Sequence, residues 1–419
     1  MAAAYPIRPI SEEEFSAFYA VIERAFNVQY PTDLELRHEM GVFEFDRSLA
    51  AFDGAAMVGT AAALSLRMTV PGGDANVAGV TAVATAPSHR RRGILTSLMN
   101  RQLADLRERG EAVAALFASE AGIYARFGYG AATSDLNLAI RRGEGTLLAP
   151  ATAPESHGPQ RLRTAEPRDV IVELAEVFES VLHGRPGMFA RDGRWWENVL
   201  WDPEHRRSGR SPLRCIIAED DTGPRGYALY SVRPSWGEDG IPDGVLQVRE
   251  LMATDPAACT AIWSDLLSWD LVSEIRAHAR PVDEPLLYLL ADRRRARPRL
   301  YDGLWVRLVS VPGALAGRRY SCPVDVVIEV ADGVLAENSG RWRLRAPGRA
   351  EDGRATCERT SAAADVTLPV QSLGAAYMGG TTLGALARAG LAEQARPGAI
   401  AALSTALSWE PAPWSPTGF

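Results

Sequence analysis

Lysine is absent from the 419 residues of this chain, so the basic residues other than its six histidines are all arginines. An arginine keeps its charge at neutral pH, and its guanidinium forks onto phosphate or carboxylate groups. Acidic residues outnumber the arginines, and the formal net charge is −7. This balance argues against a nucleic-acid-binding protein, whose domains usually carry a basic excess, and it suits a cationic or amine substrate better.

Cysteine is scarce and is not arranged for metal binding. No two cysteines have CxxC spacing, none stands beside a histidine at a zinc-ligand spacing, and the histidines are scattered. We therefore expect buried free thiols and no metal site. The cysteines are Cys215, Cys259, Cys322 and Cys357.

Long apolar runs are missing as well. No stretch approaches the ~18 apolar residues that a membrane helix needs. The first residues, MAAAYPIRPISEEEF, lack the basic and apolar regions of a signal peptide. We expect a cytoplasmic protein without a membrane span, and the length predicts two to four domains.

Strand-like and helix-like patterns alternate up to about Arg141. Their β-β-β-α-β order predicts an α/β layer fold. The predicted elements are an amphipathic helix at 12–26, paired strands within 48–70, a strand at 77–85, a helix at 94–106 and a strand at 112–118.

A Pro-, Gly-, Ala- and Ser-rich segment at 143–160 reads as a linker, and a second α/β unit follows it. This unit repeats the turn Ala84-Thr-Ala-Pro as Ala253-Thr-Asp-Pro, but it lacks the arginines and glycine that follow the first copy. We interpret it as a decayed duplication that has lost a phosphate site. The predicted elements are a helix at 170–182, strands at 214–218, 226–232 and 246–253, and a long helix running through Trp263 toward His278.

The last segment, 299–419, predicts an α+β unit without a catalytic cluster of its own. Its expected strands are at 324–330, 333–337, 340–345 and 365–369, and its expected helices are at 370–377 and 383–392.

The clearest chemical signal is VTAVATAPSHRRRGILTSLM at 80–99. A buried strand ends at a Pro turn, and an arginine run with Gly93 leads straight into an amphipathic helix. Unpaired N–H groups at a helix start bind anions, and a glycine lets the backbone approach a pyrophosphate closely. The alternative is an ordinary strand-turn-helix with a solvated arginine run.

This arrangement resembles motif A of the GCN5-related N-acetyltransferases, (Q/R)xxGx(G/A), which here reads from Arg90 to Leu95. Leu95 departs from the final small residue. Together with FASEAGIYARFGYG at 117–130 and a C-terminal aromatic residue, the motif is similar to the enhanced intracellular survival (Eis) family of acetyltransferases. The likeness is dense in the N-terminal part and looser at 226–233 and 302–315.

The resemblance implies an α/β and α+β chain with tandem GCN5-related folds, of which the second is degenerate, followed by a sterol-carrier-like domain. The implied parts are an acetyl-CoA-binding domain at 1–142, a linker at 143–160, a degenerate domain at 161–298, and a sterol-carrier-like domain at 299–419 that carries a catalytic C-terminus.

The resemblance also implies acetyl-CoA as the co-substrate. Backbone groups of the first strand end can pair with the pantetheine arm, and the amide of Val83 can stabilise the thioester oxygen. The implied binding residues are Val83, Ala84, Thr85, Arg91, Arg92, Gly93, Ile94, Leu95, Thr96, Ser119 and Glu120.

Two residues take catalytic roles by resemblance. Tyr124 is expected to be the general acid, since a phenol with a pKa of about 10 holds a proton at neutral pH. The alternative is a core aromatic like Phe127 or Tyr129. The carboxylate of Phe419 is expected to be the general base; because its pKa lies far below that of an amine, it requires shifted pKa values or a water relay. A frayed terminus is the alternative.

Family likeness implies a small polyamine or aminoglycoside-type amine acceptor, loose regiospecificity and a homo-hexamer. Two departures weaken the electrostatic anchor for a polycation: Gly418 stands where the family has an acid before the terminal Phe, and Phe26-Asn27-Val28-Gln29 lacks the acid usual after the first helix. Other candidate acids are Glu12, Glu35 and Glu39. Two further functions stay open: acetylation of lysine side chains on proteins, and non-catalytic binding of acyl-CoA or lipid.

Overall fold

The structure is a computed structural model that describes residues 5–148, 160–351 and 353–419. Most of the expected linker, residues 149–159, lies outside the described residues. Chain contacts divide the molecule into two units. Unit 1 comprises the chain up to Thr133, Leu304–Glu410 and Gly418–Phe419, and unit 2 comprises Ser134–Gly303 and Pro411–Thr417.

The strands of the described chain are β1 (Ile7–Arg8), β2 (Ser48–Asp53), β3 (Ala56–Val70), β4 (Gly73–Thr85), β5 (Val113–Phe117), β6 (Gly130–Ala131), β7 (Ser134–Arg141), β8 (Arg161–Ala165), β9 (Arg214–Asp220), β10 (Gly223–Arg233), β11 (Gly244–Ala253), β12 (Val272–Pro281), β13 (Arg299–Asp302), β14 (Leu304–Leu308), β15 (Val324–Ala331), β16 (Gly340–Ala346), β17 (Thr356–Arg359), β18 (Val366–Pro369) and β19 (Glu393–Gln394).

The α-helices of the same residues are α1 (Phe15–Phe26), α2 (Asp33–Met40), α3 (Ile94–Glu108), α4 (Ala121–Tyr124), α5 (Ile171–Leu182), α6 (Gly193–Val199), α7 (Pro256–Leu267), α8 (Leu286–Leu289), α9 (Val311–Ala316), α10 (Val370–Ala376), α11 (Leu383–Arg388) and α12 (Ala399–Leu407). Among the described helices, none is long and apolar enough to cross a bilayer.

The first sheet of unit 1 has the strand order β1-β2-β3-β4-β5-β14-β6. Strands β3 and β4 form its long antiparallel hairpin, and β4 pairs with β5 in parallel. Helix α3 packs on this sheet through an apolar face whose residues are almost fully buried, as its 3.6-residue periodicity predicts. That face comprises Ile94, Leu98, Met99, Leu103 and Leu106.

Unit 1 also holds a five-stranded sheet in the order β17-β16-β15-β18-β19. Strands β15 and β16 form a complete antiparallel pair, whereas β15 and β18 run parallel. Helices α10 and α12 pack with this sheet through β18 and β15. This is the α+β unit that the last segment predicts.

Unit 2 is built on a seven-stranded sheet in the order β13-β7-β12-β11-β10-β9-β8. Read from the other end, its antiparallel run β8-β9-β10-β11 and its parallel β11–β12 pair repeat the order and directions of β1 to β5. The core beneath α7 includes Trp263, which is fully buried. The repeated topology agrees with the duplication predicted from the ATAP and ATDP turns.

Two predicted elements are wrong. The helix expected to reach His278 ends at Leu267, and His278 lies in β12. Leu271 takes a left-handed φ of 62°, which ends helical continuation, and the residues after it alternate in burial as a strand does.

The strand expected at 333–337 is also absent, because the chain forms a 3-10 turn at Ala336–Asn338 instead. The buried Asn338 amide holds this turn by donating to the carbonyls of Leu308 and Val309, each at 3.2 Å. Its carbonyl oxygen accepts from the Val311 N–H at 3.0 Å. Such long-range side-chain bonds compete with a strand ladder and are invisible to local periodicity.

Candidate active site

The sheet of unit 1 opens into a fork between β4 and β5. Their parallel ladder joins Val77 with Val113 and ends where Gly79 faces Ala115. Strand β4 nevertheless continues to Thr85, with its other edge paired to β3 up to the Gly59–Thr85 rung. In the described residues, the edge of β4 beyond Gly79 is therefore not paired with β5, as an edge that accepts an added strand-like ligand would be.

A β-bulge shapes the β4 side of the fork. Ala82 takes a left-handed φ of 55°, and its carbonyl accepts a hydrogen bond from Thr60 Oγ1 at 2.8 Å. The register of β3 and β4 shifts at this point. A bulge re-aims the backbone that follows it, which here comprises the predicted binding residues Val83, Ala84 and Thr85.

The arginine run forms a loop that opens helix α3. Gly93 is the N-cap residue, with a φ of 83°, and Arg91 also lies in the left-handed region at 62°. The first backbone bond of the helix runs from Ser97 N–H to the Gly93 carbonyl, and no side chain caps this end. In the described residues the early N–H groups of this helix therefore lack a side-chain cap, and such a helix start can bind an anion with help from the helix dipole.

Some residues of this loop are exposed to solvent, and others attach the loop to the rest of unit 1. Arg91, Arg92, Gly93 and Thr96 are exposed, Leu95 is half-buried, and Ile94 is buried beneath the helix. Arg92 donates to Tyr5 Oη at 3.3 Å. The neighbouring Arg90, by contrast, donates to the Ala25 carbonyl at 3.1 Å, so it ties the loop to the end of α1.

Tyr124 closes the short helix α4 and is 5% exposed. Burial raises the pKa of its phenol, and a hydrogen bond with Ser119 opposes this shift. Ser119 and Glu120 are exposed at the end of β5. Tyr124 lies in an apolar cluster against which Val83 and Leu95 pack, so one predicted residue from each strand end and one from the loop meet there.

Tyr129 is the nearby tyrosine that behaves as a core residue. Its ring lies edge-on to that of Tyr124 with centroids 6.1 Å apart, and it is fully buried. Within the part of the chain that the structure describes, its hydroxyl has no hydrogen-bond partner. Burial raises the pKa of Tyr129 well above its ordinary value.

Phe419 reaches the base of the fork. Its ring lies edge-on to Phe117 with centroids 5.3 Å apart. A Cβ placed on Gly79 would come within 3.0 Å of the Phe419 ring, so the absence of a side chain on β4 makes room for it. Sequence reasoning missed Gly79 and Phe117, and the available signal was a single glycine inside a buried strand.

Two of the acids considered for the acceptor have protein partners. The Glu35 carboxylate accepts from the backbone N–H of Thr32 at 2.6 Å, and it closes the capping box of α2. Glu39 accepts from Tyr19 Oη at 3.0 Å. In the described ranges, no group of three or more His, Cys, Asp or Glu side chains could hold a metal ion.

Comparison with protein families finds three matched regions. Two are matched by models described as an acetyltransferase (GNAT) domain, at residues 6–132 and 187–308. The third, residues 311–416, is matched by a sterol carrier protein domain. The predicted fold class, two acetyltransferase folds followed by a sterol-carrier-like domain, is confirmed.

Individual relatives match between four fifths and nearly all of the chain. An uncharacterised N-acetyltransferase of Streptomyces coelicolor is 44% identical over 98% of this chain and 99% of its own. The N-acetyltransferase Eis of Mycobacterium tuberculosis is 36% identical over 80% of this chain and 79% of its own. The crystal structure of Eis1 from Mycobacterium abscessus superimposes with a TM-score of 0.80 at 32% identity, covering 99% of this chain and 100% of that one.

Proposed function

Because this chain belongs to the Eis family of GCN5-related N-acetyltransferases, we propose that it acetylates small polyamine or aminoglycoside-type acceptors. Acetyl-CoA is the proposed acetyl donor, as it is for GCN5-related acetyltransferases, and regiospecificity is proposed to be loose. The observation that carries the proposal is the seat of Phe419 against Gly79, at the last β4–β5 rung. This ring contact supports the proposed role of the terminal carboxylate as the base at this fork.

The residues present fit acetyl-CoA. The uncapped start of α3 offers N–H groups to a pyrophosphate, and Gly93 has no heavy atom within 4 Å of an added Cβ, so the loop stands open. The free edge of Val83 to Thr85 suits the amides of a pantetheine arm. When bound, acetyl-CoA supplies an activated thioester.

The chain's own groups have separate roles in the proposed transfer. The Val83 N–H stabilises negative charge on the oxygen of the thioester carbonyl that the amine attacks. Tyr124 holds a proton for the departing thiolate, and burial keeps it protonated at neutral pH. The carboxylate of Phe419 accepts the proton of the attacking amine through a water molecule.

We propose that few acidic side chains are available to bind a cationic acceptor. Gly418 contributes no acid, while Glu35 and Glu39 have protein partners. Among the proposed acceptors, small polyamines therefore suit the site better than the larger aminoglycosides.

The first experiment measures CoA release from acetyl-CoA with a thiol reagent, across aminoglycosides, polyamines and lysine peptides. A variant with a few residues added after Phe419 is assayed in parallel. Release that depends on polyamines or aminoglycosides, and is lost in the extended variant, supports both the acceptor class and the terminal base.

Other outcomes would each contradict one part of the proposal. Release only with lysine peptides replaces the acceptor class, and full turnover in the extended variant removes the base role of Phe419. No release with any acceptor, together with no binding of acetyl-CoA, contradicts the assignment of the fork.

Boundaries, assembly and location are further proposals. We propose the boundaries at Arg142, Gln160 and Pro298 as divisions along the chain and not of the sheets, since β14 pairs with β5. A homo-hexamer and a cytoplasmic location are proposed from family likeness. Light scattering tests the hexamer, and a dimeric or monomeric mass contradicts it.

A further inference from the structure

The sheet of unit 2 contains a second fork, between β11 and β12, which correspond to β4 and β5 of the first sheet. The parallel ladder of β11 and β12 ends where Val248 faces Ala277, while both strands run on. A cavity of about 560 Å³ lies beyond this point, lined by the end of β11, by Cys259 of α7 and by Trp414 of the C-terminal tail. The fork therefore survives in the degenerate copy with part of the chain lining it.

This second fork is closed to the phosphates of a CoA. Helix α7 starts directly after Asp255, whose carboxylate caps it by accepting from the Ala258 N–H at 2.9 Å. Burial raises the pKa of Asp255, but this bond and the ion pair with Arg225 outweigh burial and keep the carboxyl ionised. A fixed negative charge stands where α3 offers bare N–H groups, and it repels an anion.

Trp414 lines this cavity and is fixed there by specific bonds. It is 3% exposed, its indole N–H donates to the Ala279 carbonyl at 2.7 Å, and its backbone N–H donates to the Pro186 carbonyl at 2.9 Å. Ala279 takes a left-handed φ of 49° at a break in the β12–β7 register. The Arg280 guanidinium lies 5.1 Å from the centroid of the Trp414 ring.

Three residues later, the tail is held again by a buried charge network. The Arg191 guanidinium donates to Thr417 Oγ1 from Nε at 3.1 Å and from Nη2 at 2.9 Å. The same guanidinium forms a two-bond ion pair with Glu250, which also accepts from Tyr227 Oη at 2.6 Å. Both charged side chains are almost fully buried, so the donors aimed at Thr417 are fixed in direction.

Only Gly418 stands between Thr417 and the terminal residue. Two residues span at most about 7 Å of extended chain, so fixing Thr417 restricts the positions that the Phe419 carboxylate can reach. Gly418 has no side chain to stiffen this step, and it is exposed. Besides the packing of the Phe419 ring against Phe117, the restriction therefore comes from the residues that hold Trp414 and Thr417.

We propose that unit 2 holds the C-terminal tail, with Trp414 lining its fork and Arg191 bound to Thr417, and thereby restricts the positions that Phe419 can take. This inference rests on the proposed role of the Phe419 carboxylate. Trp414, Thr417 and Arg191 are positioning residues, since they act on the acceptor amine only through Phe419.

The test compares Thr417→Val with Thr417→Ser in the full-length protein. Valine keeps the shape but removes the acceptor of both Arg191 bonds, whereas serine retains it. Thr222→Val is the matched control, because it removes a hydroxyl bond to Asp220 in the turn between β9 and β10 of the same unit. Trp414→Ala and Trp414→Phe test the second anchor.

Two readouts distinguish positioning from general damage. The first is the rate at which carboxypeptidase releases Phe419, which we expect to rise about tenfold in Thr417→Val and Trp414→Ala. The second is turnover at saturating substrate, which we expect to fall about tenfold or more with unchanged acetyl-CoA affinity. Thr417→Ser and Thr222→Val should match the parent protein in both, and melting temperatures identify any variant that has lost its fold.

Each outcome decides the inference. Unchanged release of Phe419 in Thr417→Val overturns the anchor, whatever the turnover. Faster release with full turnover shows an anchored tail that does not position a catalytic group, and overturns the positioning role. The variant extended after Phe419 tests the base separately: if it keeps full turnover, the proposed base fails, while the release rates still decide the anchor.

Discussion

The phenyl ring of Phe419 lies over Gly79, the last residue of β4 that pairs with β5. At the same place, Phe117 at the end of β5 meets that ring edge-on. The final residue of the chain thus lies where the central strands of the first sheet begin to separate.

Gly79→Ala should lower turnover without weakening acetyl-CoA binding. The new Cβ would lie 2.5 Å from Leu66 Cδ1 and 3.0 Å from the Phe419 ring, so both side chains must shift and the seat of Phe419 is disturbed. We expect a loss of about tenfold in kcat, measured by CoA release. Gly73→Ala is the matched control on the same strand, because its Cβ meets nothing within 4 Å. Equal kcat values for the two variants would contradict the seat of Phe419.

Tyr124→Phe should lower kcat about 10²-fold and leave acetyl-CoA affinity unchanged, since only the proton donor is lost. Because an acid works while protonated, and burial places the pKa of Tyr124 above its ordinary value, the parent enzyme should lose activity from this group only at strongly alkaline pH. The pH profile of kcat checks this.

Tyr129→Phe is the matched control for Tyr124→Phe, because it removes a phenol hydroxyl from the neighbouring ring. Its hydroxyl has no partner in the described structure, so its removal should leave turnover unchanged and shift stability by less than about 1 kcal/mol. A large loss of turnover in this variant, or none in Tyr124→Phe, would reassign the acid.

Gly93→Glu should lower acetyl-CoA affinity by about two orders of magnitude or more, because it places a carboxylate at the bare start of α3. Gly110→Glu is the control for backbone strain, since Gly110 follows the same helix with a φ of 78° and equally open space. Calorimetric titration with acetyl-CoA measures both. Similar affinities would remove the phosphate site from this loop.

Asp135→Asn should stabilise the protein above pH 6. Burial, with Asp302 adding to it, raises the pKa of Asp135 to about 6, and its Oδ1 has no hydrogen-bond partner in the described residues. The folded state therefore binds this proton more tightly than the unfolded state, and stability is lost as pH rises from about 4 to 6. The gain from asparagine should approach at most about 3 kcal/mol at pH 7.5 and vanish toward pH 4. Denaturant titrations at both pH values check it; a gain independent of pH would contradict the assignment.

Thiol reagents should label the folded protein slowly at three positions. Burial raises the pKa of Cys215, Cys259 and Cys357 to about 12, so little thiolate forms at neutral pH. Only Cys322 is partly exposed. Fast labelling of more than one thiol before denaturant is added would show that the core opens readily.

Local sequence determined the arginine loop that opens α3 and most of the elements around it. The segment 80–99 contains, in immediate succession, the strand end, the Pro turn, Gly93 and the apolar face of α3. Their conformations depend on residues close in sequence, so local patterns predict them. The ATAP and ATDP turns are also short contiguous motifs, and they reveal the duplication. The motifs that resemble the Eis family identify the family of this chain correctly.

Tertiary structure alone decided which distant segments complete each sheet and where the tail lies. Strand β14 joins β5 across almost two hundred residues, β7 pairs with β12, Trp414 lines the fork of unit 2 and Phe419 meets Gly79. Periodicity reports which face of an element is buried but not its partner, because many distant apolar faces satisfy the same pattern. The partner is selected by how closely side chains pack, and at Gly79 that depends on one missing Cβ.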